Sequence, residues 1–362
     1  MIIINKNIDI NIKSLKERFD SLENLLIFDI ETTGFSYRKN IIYLIGCVYF
    51  VDEQANIIQW LAENENDEYA VIYEFIKFSN DFKCIVHYNG TTFDIPFVSK
   101  KAHLYRISNT LSCLDNIDIY KLIKPCKHIF NIENCKLKTI EKYLNIHRKD
   151  KFSGGELINQ FISYTNSKDI IIRNNLLQHN EDDIIGLTKS LKILDYIDIY
   201  NNLVNNKIPF TIDSISIEEM ILAINISLST TTPFDYKYTH GNYSVHINNE
   251  RIVINISLIK DELKYFFDNY KDYYYVYSED QAIHKDIAKY IDKDNKIKAT
   301  RELSYIKKRG IFIPLLDNYN AINENLFYTS TKSKTRYIML LDCTLENNTF
   351  IENLCISVLN NL

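Results

Sequence analysis

The chain has 362 residues, 46% of them hydrophobic and 25% charged, with a formal net charge of −5. This is an ordinary globular composition, long enough for two domains, and no apolar run reaches membrane-spanning length. The small negative charge neither supports nor excludes a phosphate-rich partner, because a few acids gathered on cations would leave the remainder nearly neutral.

Residues 1–23 read as a polar lead-in with a short helix over 14–22. The opening MIIINKNIDI lacks a basic segment followed by a long apolar core, so no secretory signal is expected. Three strand-like runs follow, at 25–30, 41–50 and 56–61. In 66–80, Tyr69, Ile72, Tyr73 and Ile76 fall at i, i+3, i+4 and i+7, the spacing of an amphipathic helix. CIVHYN (84–89) reads as a strand, IPFVSKKAHLYRI as a helix and NIDIY (116–120) as a strand. Helices are expected over 136–146, 155–164 and 168–195. Successive strands followed by strand–helix alternation predict an α/β mixed sheet with helices on both faces. The Asn-rich stretch 200–210 is the expected boundary between a domain at 24–199 and a smaller α+β domain at 205–362. In the latter, YSVHINNERIVINIS reads as a hairpin turning at Asn248–Glu250, and DYYYVYS as a strand. A capping box of Ser278 and Gln281 predicts the start of a helix over QAIHKDIAKYI.

Seven cysteines are scattered without a CxxC pair, and Cys126, His128 and Cys135 lack a zinc spacing. A reducing, cytoplasmic setting is expected.

The chemistry-bearing residues are acids on apolar elements. Asp29 and Glu31, in IFDIETTG (27–34), share one strand face. Either the strand has ended and both are solvated, or a divalent cation separates them. Asp94, in NGTTFDIPF, stands where a helix begins, as a cap or as a ligand. In QHNEDDIIGL, helical spacing places Asp183 on the stripe of Leu176, Leu187 and Leu191, with His179 one turn earlier. Asp182 is expected about 100° away on the wet side, and Glu181 at the periphery.

D-x-E on a strand, N-x3-F-D at a strand-to-helix turn and H-x3-D on a late helix resemble the DEDD exonucleases of the RNase H-like (DnaQ-like) superfamily, and more narrowly the YprB-type RNase H-like domain. The resemblance runs through FDIETTG, YLIG (43–46), HYNGTTFDIPF, DIY (118–120), LKTIEKYLNI and QHNEDDIIGL, about half the chain. It implies that Asp29, Glu31, Asp94 and Asp183 hold two divalent ions, Mg²⁺ or Mn²⁺. It further implies hydrolysis of phosphodiesters by a two-metal-ion mechanism from a single-stranded 3′ end of DNA or RNA. His179 departs from the superfamily pattern: it is a His at the three-residue spacing otherwise occupied by Tyr. It is left as a base, a water-orienting group, a phosphate contact or a bystander. Thr32, Thr33 and Gly34, on a turn where backbone can approach a nucleotide, and Asn89 are candidate substrate contacts. Phe93 reads as core in preference to a base platform, and Asp118 as a surface or capping acid in preference to the site edge.

Two basic runs, 136–151 (Lys136, Lys138, Lys142, Arg148, Lys149, Lys151) and 296–310, have Tyr143 and Tyr305 interleaved. They are candidate phosphate tracks or simply solvated faces. His284 reads as structural. A non-catalytic nucleic-acid-binding module and a structure-specific endonuclease are the competing readings.

Overall fold

A computed structural model describes residues 1–149, 152, 154–321 and 324–362; Lys151 of the first basic run lies outside them. The chain divides into two compact units, Met1–Asp198 and Ile199–Leu362.

The first unit runs β1 (Ile2–Asn7), α1 (Lys13–Arg18), β2 (Leu25–Thr32), β3 (Ile42–Val51), β4 (Gln54–Leu61), α2 (Glu68–Ser79), β5 (Cys84–His87), α3 (Asp94–Leu104), β6 (Asp115–Asp118), α4 (Ile119–Ile123), α5 (Leu137–Tyr143), α6 (Gly154–Ser167), α7 (Ile170–Ser190) and α8 (Ile193–Val204), the last crossing the division. Six strands form one mixed sheet in the order β1-β4-β3-β2-β5-β6. The first four pair antiparallel, and β2–β5–β6 pair parallel. The lead-in is therefore a correction: residues 2–7 are an edge strand pairing with β4, and Ile2 and Ile4 alternate with more exposed neighbours as a half-covered edge requires.

Neighbouring residues of β2 feed opposite faces. Phe28 stacks on Phe75 of α2 at 5.2 Å between ring centroids, while Asp29 faces Asn180 of α7. The same division holds on β4, where Trp60 meets Phe75 and Gln59 meets Asn180. Helices thus cover both faces, as the sequence predicts. Leu26, Phe28, Ile45, Trp60, Phe75 and Ile85 belong to the main core. Glu68 is a buried acid satisfied by the Ile42 amide, the Lys101 ammonium and the Tyr105 hydroxyl.

The second unit contains β7 (Phe210–Glu218), β8 (Ile221–His240), β9 (Tyr243–Ser257), β10 (Ile259–Phe266), β11 (Tyr273–Val276), β12 (Gln281–His284), α9 (Lys285–Ala288), β13 (Lys296–Lys298), β14 (Tyr305–Leu315), β15 (Leu326–Phe327), β16 (Arg336–Met339), α10 (Asp342–Leu345) and α11 (Asn348–Leu359). Its sheets are β7-β8-β9, β10-β14-β16-β15 and β12-β11-β13.

Two expectations fail here. The expected turn at Asn248–Glu250 lies inside β9, which is laddered to β8 on both sides of it. Asn249 takes a left-handed φ of 53° as an irregularity, and the chain reverses instead at Gly241, φ 56°. The expected helix from Gln281 begins as strand β12 instead, laddered to β11. The turn before it is held by Asp280, which accepts from the hydroxyls of Tyr275 and Tyr305 and from Lys307. His284 is half-exposed and caps α9. The second basic run is partly consumed internally: Lys296 donates to carbonyls of Ala288 and Ile291, Lys307 pairs with Asp280, and Tyr305 is buried.

Candidate active site

Three elements bring the acids together. β2 presents Asp29 and Glu31 on one face, α3 begins at Asp94, and α7 carries His179, Asn180 and Asp183. Nε2 of His179 lies 3.6 Å from Oε1 of Glu31 and 3.3 Å from Oδ2 of Asp183. One ligand atom from each of Glu31, His179 and Asp183 falls within 4.8 Å of the others. The charges of Asp183, Asp94 and Glu31 all act on Asp29, and Asp94 is buried.

The electrostatics follow from burial of like charges. Desolvation pushes the Asp29 carboxyl well above the usual carboxylate range. Asp183, Asp94 and Glu31 add to the shift, and only a hydrogen bond from Asn180 opposes it. Burial pushes Asp94 up to about 7, opposed by backbone N–H groups of Asp94 and Ile30 and reinforced by Asp118. Burial, then Glu31, pushes the Tyr43 hydroxyl up, which keeps it a neutral donor.

Each acid has a dedicated support, and the sequence reading missed most of them. At the β2–β3 ladder Glu31 pairs with Leu44 but Thr32 with Ile42, leaving Tyr43 as an extra residue. That bulge brings the Tyr43 hydroxyl to 3.4 Å from Oε2 of Glu31, while its ring stacks on Phe161 at 4.4 Å. Asn180, fully buried, reaches Oδ2 of Asp29 at 3.4 Å and accepts from Gln59 at 3.0 Å. Gly46, opposite Asp29 in the ladder, makes room for it: a Cβ there would overlap Oδ1 of Asn180. The YLIG stretch thus supplies both a donor and a space.

The turn delivering Asp94 is tied from behind. Asp118 is buried, and it accepts from the amides of Asn89 at 2.9 Å and Thr91 at 3.3 Å. It is a buried turn anchor and not the surface or helix-capping acid expected. Nδ1 of His87 accepts from the Gly90 amide, so its Nε2–H faces Oδ1 of Asn116 at 2.8 Å. Burial lowers the His87 pKa, which keeps the ring neutral for this role. Asn89 adopts φ 61°, and its Oδ1 accepts from the Thr92 hydroxyl.

The remaining residues singled out in the sequence are also placed. Thr32 donates to the carbonyl of Gly34, and the Thr33 hydroxyl accepts from the Ile41 amide. Gly34 sits at φ 154°, where a Cβ would lie 2.8 Å from Oδ1 of Asn40. Phe35, 92% exposed, projects from the same turn edge-on to Phe93, which is half-buried against the core. Asp182 corrects the expectation of a wet face. It is buried, accepting from the Lys149 amide at 2.7 Å and the Gln178 side chain at 2.9 Å, because the segment after α5 covers that side of α7. Asp183 keeps some exposure, and Arg148 of that segment donates to it. Lys136, Lys138, Lys142 and Lys149 are exposed.

The donor set suits a hard divalent cation. Oxygen donors of Glu31 and Asp183 meet the His179 imidazole, and the charges of Asp183, Asp94 and Glu31 converge on Asp29, so like charges are crowded where a divalent cation would offset them.

Residues 26–194 match the family model of the RNase H superfamily. No curated protein matches the sequence. Among solved structures, the chain is similar to the family B DNA polymerase from the hyperthermophilic archaeon Pyrobaculum calidifontis, at 15% identity and TM-score 0.40, over 71% of this chain and 36% of that one. It is also similar to E. coli Exonuclease I in complex with a 5cy-dA13 oligonucleotide, at 11% identity and TM-score 0.32, over 57% and 55%. A third is the Aedes aegypti Nibbler EXO domain, at 14% identity and TM-score 0.31, over 51% and 81%. The chain thus spans about a third of the polymerase and about half of Exonuclease I. Five of the six strands of the mixed sheet, all but β1, fall in the matched segment, and the fold is that of an RNase H-like domain.

Proposed function

We propose that this chain is a metal-dependent nuclease, a 3′–5′ exonuclease of the DEDD type and the YprB subtype, acting on a single-stranded end of DNA or RNA. The observation that carries the reading is the convergence of acids from β2, α3 and α7: Glu31 and Asp183 flank Nε2 of His179, and Asp29 is strained by burial and by the charges of Asp183, Asp94 and Glu31. A fold kept only for binding gains nothing from that strain.

Asp29, Glu31, Asp94 and Asp183 would hold the ions. When bound, divalent ions supply Lewis-acid stabilisation of the charge that builds on a phosphodiester during in-line displacement. The chain's own groups do the rest. His179, with Nε2 turned into the cluster, holds or accepts the proton of the attacking water. Tyr43 and Asn180 fix the rotamers of Glu31 and Asp29. The backbone of Thr32, Thr33 and Gly34 and the side chain of Asn89 face the terminal nucleotide, and exposed Phe35 offers a stacking surface for its base. The exposed lysines at 136, 138, 142 and 149 provide a phosphate track. Cys47, Cys84, Cys113, Cys126, Cys135 and Cys355, among the described residues, are free, which supports a reducing, cytoplasmic setting. Helices among those residues are nowhere long and apolar enough to cross a membrane.

The test is single-stranded DNA, RNA and an RNA–DNA hybrid, each labelled at either end and incubated with Mn²⁺. Progressive shortening of the 5′-labelled strand supports the reading. Internal cleavage would favour an endonuclease, and inertness toward all three substrates would refute hydrolysis.

A further inference from the structure

Arg148 stands in the irregular segment after α5. Its Nη1 donates to both carboxylate oxygens of Glu141, at 2.9 and 3.0 Å, and its Nη2 donates to Oδ1 of Asp183. The side chains of Arg148 and Glu141 are 11% and 1% exposed. Glu141 is held by shape as well as charge: α5 packs on α7 at Gly186, where a Cβ would overlap Oε1 of Glu141. Glu141 is therefore a fixed, buried anchor for one edge of the guanidinium, and the other edge occupies a carboxylate that the divalent ion also requires.

We propose that Arg148 is a positioning residue that competes with the divalent ion for Asp183, aiming and neutralising this acid in the metal-free protein and releasing it when the ion binds. The inference rests on the metal-site reading above. Glu141 makes the exchange feasible. Once Asp183 turns to the ion, Arg148 still has a full counter-charge, so no buried guanidinium is left uncompensated. The planar fork of arginine suits two carboxylates at once, which a lysine cannot reproduce. The arrangement also explains a buried acid–base pair next to a site that already carries four acids: without Glu141, Arg148 would bind Asp183 too firmly to give it up.

The proposal predicts opposite effects for two residues that are not ligands. Mn²⁺ binding is measured from the paramagnetic resonance of the free ion, with melting temperatures of the metal-free proteins in parallel. Arg148→Gln should bind Mn²⁺ at least about tenfold tighter than wild type and melt lower when metal-free. Glu141→Gln should bind Mn²⁺ more weakly, since Arg148 then loses its bidentate anchor and holds Asp183 more firmly. The double variant should recover tight binding, because Glu141 acts only through Arg148. Arg148→Gln binding no tighter than wild type overturns the proposal, as does a double variant as weak as Glu141→Gln. Should Arg148→Gln not fold, Glu141→Gln decides alone, and unchanged or tighter binding overturns the proposal. A wild type that binds no Mn²⁺, or an Asp183→Asn variant that binds as tightly as wild type, removes the metal site itself and the proposal with it.

Discussion

Nε2 of His179 lies 3.3 Å from Oδ2 of Asp183, one helical turn further along α7. The three-residue spacing therefore does not turn the imidazole away from the acids; it sets the ring between Asp183 and Glu31. His179→Ala is expected to lower turnover by about 10²–10⁴ with little change in Mn²⁺ affinity. His179→Tyr separates the two roles. A phenol is a poor base at neutral pH yet can orient water, so substantial activity would assign orientation, and activity as low as the Ala variant would assign proton transfer. An Ala variant as active as wild type would leave His179 a bystander.

Gly46 and Asn180 fit one another across the sheet–helix contact behind Asp29. Gly46→Ala should destabilise the fold by about 1–3 kcal/mol, because the added methyl has only the Asn180 amide to displace. Denaturant unfolding of Gly46→Ala, Asn180→Ala and the double variant checks this. The double should lose less than the sum of the singles. Strict additivity would show that the two do not share the space.

The metal-free protein should lose stability as pH rises. Asp94 is pushed from an ordinary 3.8 up to about 7, and Asp29 is also raised. Between those values the folded chain holds protons that the unfolded chain has released, so unfolding free energy falls with increasing pH. Melting temperature should drop from pH 5 to 7.5, and either Mn²⁺ or Asp29→Asn should flatten the drop. A melting temperature that rises over this range would show the acids to be ion-paired instead.

Asp118 is expected to matter to a site it does not enter. Asp118→Ala leaves the amides of Asn89 and Thr91 without their acceptor, which costs about 1–3 kcal/mol and loosens the turn that carries Asp94. Asp118→Asn, which keeps an acceptor oxygen, should retain most of the stability. Equal losses in the two variants would mean that charge and not turn geometry is what Asp118 supplies.

The sheet and its helices were legible because strands such as 41–50 are apolar runs broken only by Gly46 and helices such as 66–80 carry one period over a full element. The four acids stood out because each interrupts an apolar pattern. Their supports did not. Tyr43 reaches Glu31 only through a bulge, and Gly46 matters only through Asn180, more than 130 positions away. Asp182 lies off the predicted wet face because helical geometry fixes direction and not what covers a face; the stretch after α5, with Lys149, decides its burial. In the second unit, the local capping signal at Ser278 lost to the ladder between β11 and β12. Sequence separation hides such pairings, and local propensity yields to them.

Asp29, Glu31, Asp94 and Asp183 are proposed to hold divalent ions. Anomalous diffraction from crystals soaked in Mn²⁺ tests it most directly. Mn²⁺ peaks bounded by these four carboxylates are expected, lost in Asp29→Asn crystals soaked identically. Peaks confined to other surface acids, or a cluster left without Mn²⁺ at saturating concentration, would contradict it.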